Sequence, residues 1–79
     1  MSARTIINDT FRQVAQEQQR TLSQLSDNVK LLESGLDSLS FALIVARLED
    51  ALGYDPFVSA DNIPVTFGEF VKLYEDYAQ

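Results

Sequence analysis

Cysteine and histidine are both absent from the 79 residues, and these two absences remove most of the familiar catalytic chemistry. Without Cys there is no disulfide, no thiolate zinc site and no cysteine nucleophile; without His there is no Ser-His pair and no imidazole metal site. Ser-Lys arrangements remain formally open, with Lys30 and Lys72 as the only lysines. Glycine is scarce, and Gly35, Gly53 and Gly68 lie too far apart for a phosphate-cradling loop. Long apolar runs are missing too. The longest, Phe41 to Ala46, is too short for a bilayer, and Met1-Ser2-Ala3-Arg4-Thr5 leads into mixed polar sequence, so no targeting or spanning segment is expected. A single cytoplasmic domain over residues 1–79 is the expectation, without catalytic residues or a metal site of its own.

Basic residues are few as well. The net charge is −6, and it is unevenly placed. Residues 1–30 hold three acids and four bases, whereas residues 31–79 hold nine acids against Arg47 and Lys72. Nucleic acid and anionic membranes are therefore poor partners, and an acidic surface suits docking onto basic patches of other proteins. For any single carboxylate the plainer reading is a solvated, solubilising group.

What is present is helical periodicity. A first helix is expected from about Thr5 to Gln19, with Ile7, Phe11, Val14 and Gln18 on one face and Ile6 beside them. No Gly or Pro marks its end. The connection from Arg20 to Leu36 contains Leu22, Leu25, Val29, Leu31 and Leu32, so it must pack; Leu22, Leu25 and Val29 have the spacing of a short helical stretch, and Ser26-Asp27-Asn28 that of a turn. A second helix should run from Ser38 to about Leu52, between Asp37 and the stop at Gly53. Phe41, Ile44, Val45, Leu48 and Leu52 form its core stripe, and Leu39, Ala42, Leu43 and Ala46 a second apolar face. That second face either packs beneath the connection or meets a partner. Residues 58–63 have room for a short helix capped by Ser59 and ended by Pro64. Thr66 and Glu69 form a capping box for a last helix from about Phe67 to Tyr77, with Phe67, Phe70, Val71 and Tyr74 inward. The sum is an all-α, small four-helix bundle: three main helices, one short one, and a long first connection.

Gly35-Leu36-Asp37-Ser38-Leu39 stands where the second helix begins. Gly35 permits a tight turn, Asp37 suits the N-cap, and Ser38 falls on the first helical turn with its hydroxyl close to solvent. A phosphodiester on Ser38 would meet the positive end of the helix dipole, but the Asp37 carboxylate would repel it unless turned away, capping the helix or binding a metal. The same residues also read as a plain helix start.

This pentapeptide, followed by Ser40-Phe41-Ala42-Leu43-Ile44-Val45-Ala46-Arg47-Leu48-Glu49-Asp50, resembles the modification site of acyl carrier proteins and related carrier domains. The resemblance covers nearly the whole chain. It implies that Ser38 holds a covalent 4'-phosphopantetheine arm, with Asp37 as the acidic residue before it and cargo carried as a thioester. It further implies that Leu39 and Ala46 face partners and that Glu49 and Asp50 supply acidic contacts; their position along the helix from Ser38 adds Ala42 and Leu43 to this candidate partner face, with Arg47 beside it. Its partners would be a phosphopantetheinyl transferase, an acyl-loading ligase or acyltransferase, and downstream synthase enzymes, met as a monomer. Many fatty-acid-synthesis carriers have acidic residues where this chain has Ser40 and Leu43, and Arg47 adds a positive charge. A specialised lipid or polyketide-like pathway fits such a face better. A peptidyl or aryl carrier loaded by an adenylating ligase, and an unmodified helical interaction module, remain the alternatives.

Overall fold

The computed structural model describes residues 2–58 and 64–77. Its elements are α1 (Ala3–Glu17), α2 (Ser38–Leu52) and α3 (Phe67–Tyr77), with single 3-10 turns at Leu31–Glu33 and Pro56–Val58. Each helix buries one stripe. On α1 it is Ile7, Thr10, Phe11, Val14 and Ala15; on α2, Ser40, Ile44 and Leu48; on α3, Phe67, Phe70, Val71 and Tyr74. The spacings of three and four put each set on a single side, so the three stripes close around one core. Phe11 is its centre, meeting the rings of Phe41, Phe67 and Phe70 edge-on at centroid distances of 6.0, 5.2 and 5.4 Å. Each fully buried aromatic of this kind contributes about 2–3 kcal/mol through area removed from water.

Three expectations change. The first helix stops at Glu17 rather than Gln19, because Gln19 adopts a left-handed φ of 56°. The Arg20 N–H then donates to the Ala15 carbonyl at 2.8 Å and the Gln19 N–H to Gln16 at 3.1 Å, a Schellman closure usually built on glycine. Leu22, Leu25 and Val29 are half-buried against the core but not helical. Their backbone is committed elsewhere: Ser23 N–H donates to Ser34, Leu31 N–H to Val65, and Phe67 N–H to Val29. Lys30 and Thr66 thereby form an isolated antiparallel bridge that straps the connection to the start of α3. Finally, the short fourth helix is not found as expected; the described part of that region is the 3-10 turn at Pro56–Val58, and residues 59–63 lie outside the described residues. Among the described residues the bundle is thus three α-helices with a long, packed connection.

The start of α2 sits where this connection turns. Gly35 has φ 100°, and a Cβ there would stand 2.1 Å from the Thr21 carbonyl oxygen, so only glycine lets the two chain segments pass. The far end closes at Gly53, φ 85°, whose N–H donates to the Glu49 carbonyl.

Candidate functional site

Asp37 caps α2 as its position suggests, with Oδ1 accepting from the Ser40 N–H at 2.9 Å. The cap reaches beyond local sequence. The buried Ser40 hydroxyl lies 2.8 Å from the same carboxylate oxygen and also contacts the Gln18 side-chain amide. A hydroxyl has one proton, so the three groups are satisfied together when Ser40 donates to Asp37 and Gln18 presents its NH2 to Ser40. On the other oxygen, Arg20 Nη2 donates to Asp37 Oδ2 at 2.7 Å. The Asp37 carboxyl is held below the usual carboxylate range, first by the Ser40 backbone N–H, then by the Ser40 hydroxyl and the Arg20 charge. The end of α1 is therefore tied to the beginning of α2 by Gln18, Arg20, Asp37 and Ser40.

Ser38 stands beside this network and outside it. It is exposed on the first turn of α2 and, among the described residues, its side chain makes no hydrogen bond. Its serine neighbours behave otherwise: Ser34 and Ser40 are fully buried, and the Ser34 hydroxyl donates to the Leu31 carbonyl at 2.6 Å. A groove of about 710 Å³ opens at Ser38 and runs past Leu32, Phe41, Ala42, Val45 and Phe57, and among the described residues Lys30 is the one charged residue on its wall.

The second face of α2 divides in two. Leu39 is 73% exposed, and Ala42, Ala46, Glu49 and Asp50 also face solvent. Leu43 packs half-buried against the core. Arg47 is drawn into the fold by a two-pronged pair with Glu17 on α1, its Nη1 lying 2.8 Å from Glu17 Oε2. Near the serine, Leu32 is 81% exposed on the neighbouring 3-10 turn and extends the apolar surface. Sequence spacing did not single out Leu32, Gln18, Arg20 or Ser40 as site residues. They come from separate segments with no common period, and only the passing of the connection over α2 unites them. Phe57 lines the groove, while Tyr54 and Tyr77 stack on each other at 5.1 Å.

The arrangement suits a covalent phosphodiester. It offers an exposed, unbonded hydroxyl at a helix N-terminus, a neighbouring carboxylate already turned into hydrogen bonds, and an adjacent cation. No helix among the described residues is long and apolar enough to cross a membrane. Comparison with curated proteins and with solved structures finds no match. The family model described as a phosphopantetheine attachment site matches residues 9–60, well over half of the chain and the whole of α2. Domains of this kind are carriers that work with phosphopantetheinyl transferases and synthase enzymes. The chain therefore belongs to the phosphopantetheine attachment-site family, and its cofactor is covalent 4'-phosphopantetheine.

Proposed function

We propose that Ser38 is the attachment residue and that the protein is an acyl carrier for a specialised lipid or polyketide-like pathway. The observation that carries this reading is the contrast among serines: Ser34 and Ser40 are buried and hydrogen-bonded, whereas Ser38 is exposed and unbonded on a helical first turn. A separate transferase docks on α2, takes the Ser38 hydroxyl proton and joins the Ser38 oxygen to the pantetheine-bearing phosphorus as the diphosphate of coenzyme A is cleaved, adenosine 3',5'-bisphosphate leaving and Mg2+ offsetting the phosphate charge. The arm then supplies the thiol that this cysteine-free chain lacks, and cargo rides on it as a thioester. The chain's own part is to present the serine, keep Asp37 turned into its cap and offer a face to client enzymes. Tethering raises the local concentration of cargo at each client without the carrier lowering a chemical barrier.

Leu39, Ala42 and Ala46 form the docking face of this reading, rimmed by Glu49 and Asp50, while Leu43 and Arg47 are partly engaged within the fold. The apolar walls of the groove beside Ser38 favour an apolar acyl cargo over an amino acid. Intact mass before and after incubation with coenzyme A, Mg2+ and a broad-specificity transferase tests the attachment. A gain of one phosphopantetheine that vanishes in Ser38→Ala is expected. A gain that survives this substitution would move the site to another residue. No gain, under conditions that modify a control carrier, would return the chain to the unmodified interaction module.

A further inference from the structure

The residue after Asp37 is the one that would become anionic, and two negative charges on adjacent residues repel each other. This chain places a cation against the first of them. Arg20 sits 17 residues before Asp37 and is delivered by the left-handed turn at Gln19, a conformation that is rare for any residue but glycine, aspartate and asparagine. Strained backbone of this kind persists where the surroundings over-determine it and is concentrated at working sites. One nitrogen of the guanidinium holds Asp37 Oδ2, yet the side chain remains 42% exposed and its other donors meet no acceptor among the described residues. A guanidinium has five N–H donors in a planar fork and can bind a carboxylate and a phosphate oxygen at once.

The other bases have different positions. Arg4 pairs with Asp27, Arg47 with Glu17 and Lys72 with Asp76, and Arg12 stands exposed within α1, more than a turn before its end. Lys30 shares the groove wall with Ser38 and is the one competitor.

We propose that Arg20 is the resident counter-ion of the phosphodiester, a positioning residue that bridges Asp37 and the modified Ser38. This rests on the reading of Ser38 as the attachment residue. Before modification the Asp37–Arg20 pair is neutral; afterwards the start of α2 carries one net negative charge instead of the two it would hold without Arg20. The arm leaves the protein from a phosphate held on the connection side of α2, and Asp37 keeps its cap.

Thermal unfolding of the unmodified and loaded forms, paired for each variant, tests the idea apart from any client enzyme. Arg20→Gln is expected to lower the midpoint by about 3 °C more in the loaded form than in the unmodified one. Arg20→Lys, which keeps the charge and loses the fork, falls between. Asp37→Asn reverses the sign, because the loaded form then loses a repulsion that the unmodified form never had. The 31P resonance of the loaded protein moves on Arg20→Gln and stays put on Lys30→Gln. Equal losses in the two forms together with an unmoved 31P resonance would reduce Arg20 to a partner of the cap, and a differential effect of Lys30→Gln instead would pass the role to Lys30. If Arg20→Gln does not fold, Arg20→Lys and the 31P comparison decide. Intact mass is read first: a chain that gains no mass, or gains it in Ser38→Ala, overturns the attachment reading itself, whereas equal losses in a properly loaded protein overturn only this one.

Discussion

Two helices of this bundle begin by the same rule and put it to opposite uses. At the start of α3, Thr66 and Glu69 cap each other: Thr66 Oγ1 accepts from the Glu69 N–H at 3.2 Å and Glu69 Oε1 from the Thr66 N–H at 3.0 Å. The first helical residue, Phe67, is fully buried, and the second, Gly68, is pressed against Asp27, where a Cβ would lie 2.9 Å from the backbone oxygen. At the start of α2 the cap is Asp37, held by Arg20 just beyond the end of α1 and, through Ser40, linked to Gln18, and the same two positions are Ser38 and Leu39, both exposed. One start is sealed and self-sufficient. The other is braced from outside and its first turn stays exposed. Capping chemistry is local, and function lies in what surrounds it.

The sharpest way to break this contrast is at the first helical position. Phe67→Ala removes a ring from the centre of the core and should cost about 3–5 kcal/mol, most of the stability of a domain this small. Ser38→Ala should change stability by less than about 0.5 kcal/mol while abolishing modification. Urea unfolding of both variants measures the difference, and a comparable loss in the two would show that the α2 start is structural after all.

The second helical position gives a smaller effect of the same kind. Gly68→Ala must push the Asp27 turn away and should destabilise by about 2 kcal/mol, leaving the rate of modification untouched in the folded fraction. Leu39→Asp should do the reverse: unchanged urea midpoint, and a transferase kcat/KM reduced about tenfold, equivalent to about 1.4 kcal/mol of lost contact. Unimpaired modification of Leu39→Asp would remove this residue from the docking face.

These two starts also explain what was legible in the sequence. The bounds of α2 and α3 match expectation because each carries its own marks: Asp37 and Gly53 for one, the Thr66–Glu69 box for the other. The end of α1 was not legible, since a glutamine occupies the left-handed position where glycine is the usual signal. Leu22, Leu25 and Val29 had helical spacing, but the backbone of that segment found partners at Ser34 and on the approach to α3, and tertiary pairing overrode local pattern. Gly68 is the place where the connection touches α3, through Asp27, and nothing in its local sequence marks that contact. The motif proposed for attachment lies in consecutive residues and is open to direct reading. Its brace is not, because Gln18, Arg20 and Ser40 meet only through the fold.

The brace carries a strain that can be relieved. Gln19→Gly suits φ 56° and should stabilise the protein by about 0.5–1 kcal/mol, partly offset by a more flexible unfolded chain. Stability rising while the Arg20→Gln effect persists would mean that the turn's shape, and not the glutamine itself, delivers the arginine. A loss of stability would mean that the Gln19 side chain contributes contacts that outweigh the strain.

The smallest expected effect concerns acid. Asp37 and Glu69 both have carboxyl groups held below their ordinary range, Asp37 first by the Ser40 N–H and Glu69 first by the Thr66 N–H. A folded-state pKa below the unfolded one means that the unfolded chain binds more protons at acidic pH, so this contribution is full above about pH 5 and is lost as pH falls through about 4 and below. Asp37→Asn and Glu69→Gln should each flatten the acid limb of a plot of unfolding midpoint against pH. Salt then separates the two starts. Part of the Asp37 shift is the charge of Arg20, which added salt screens, whereas the Glu69 shift comes from Thr66 and Val65 hydrogen bonds within its own turn. Raising ionic strength should therefore shrink the difference between wild type and Asp37→Asn and leave that between wild type and Glu69→Gln in place. Equal salt sensitivity at both positions would mean that the α2 start is held as locally as the α3 start, and the contrast between a braced start and a sealed one would fail at the residue that defines it.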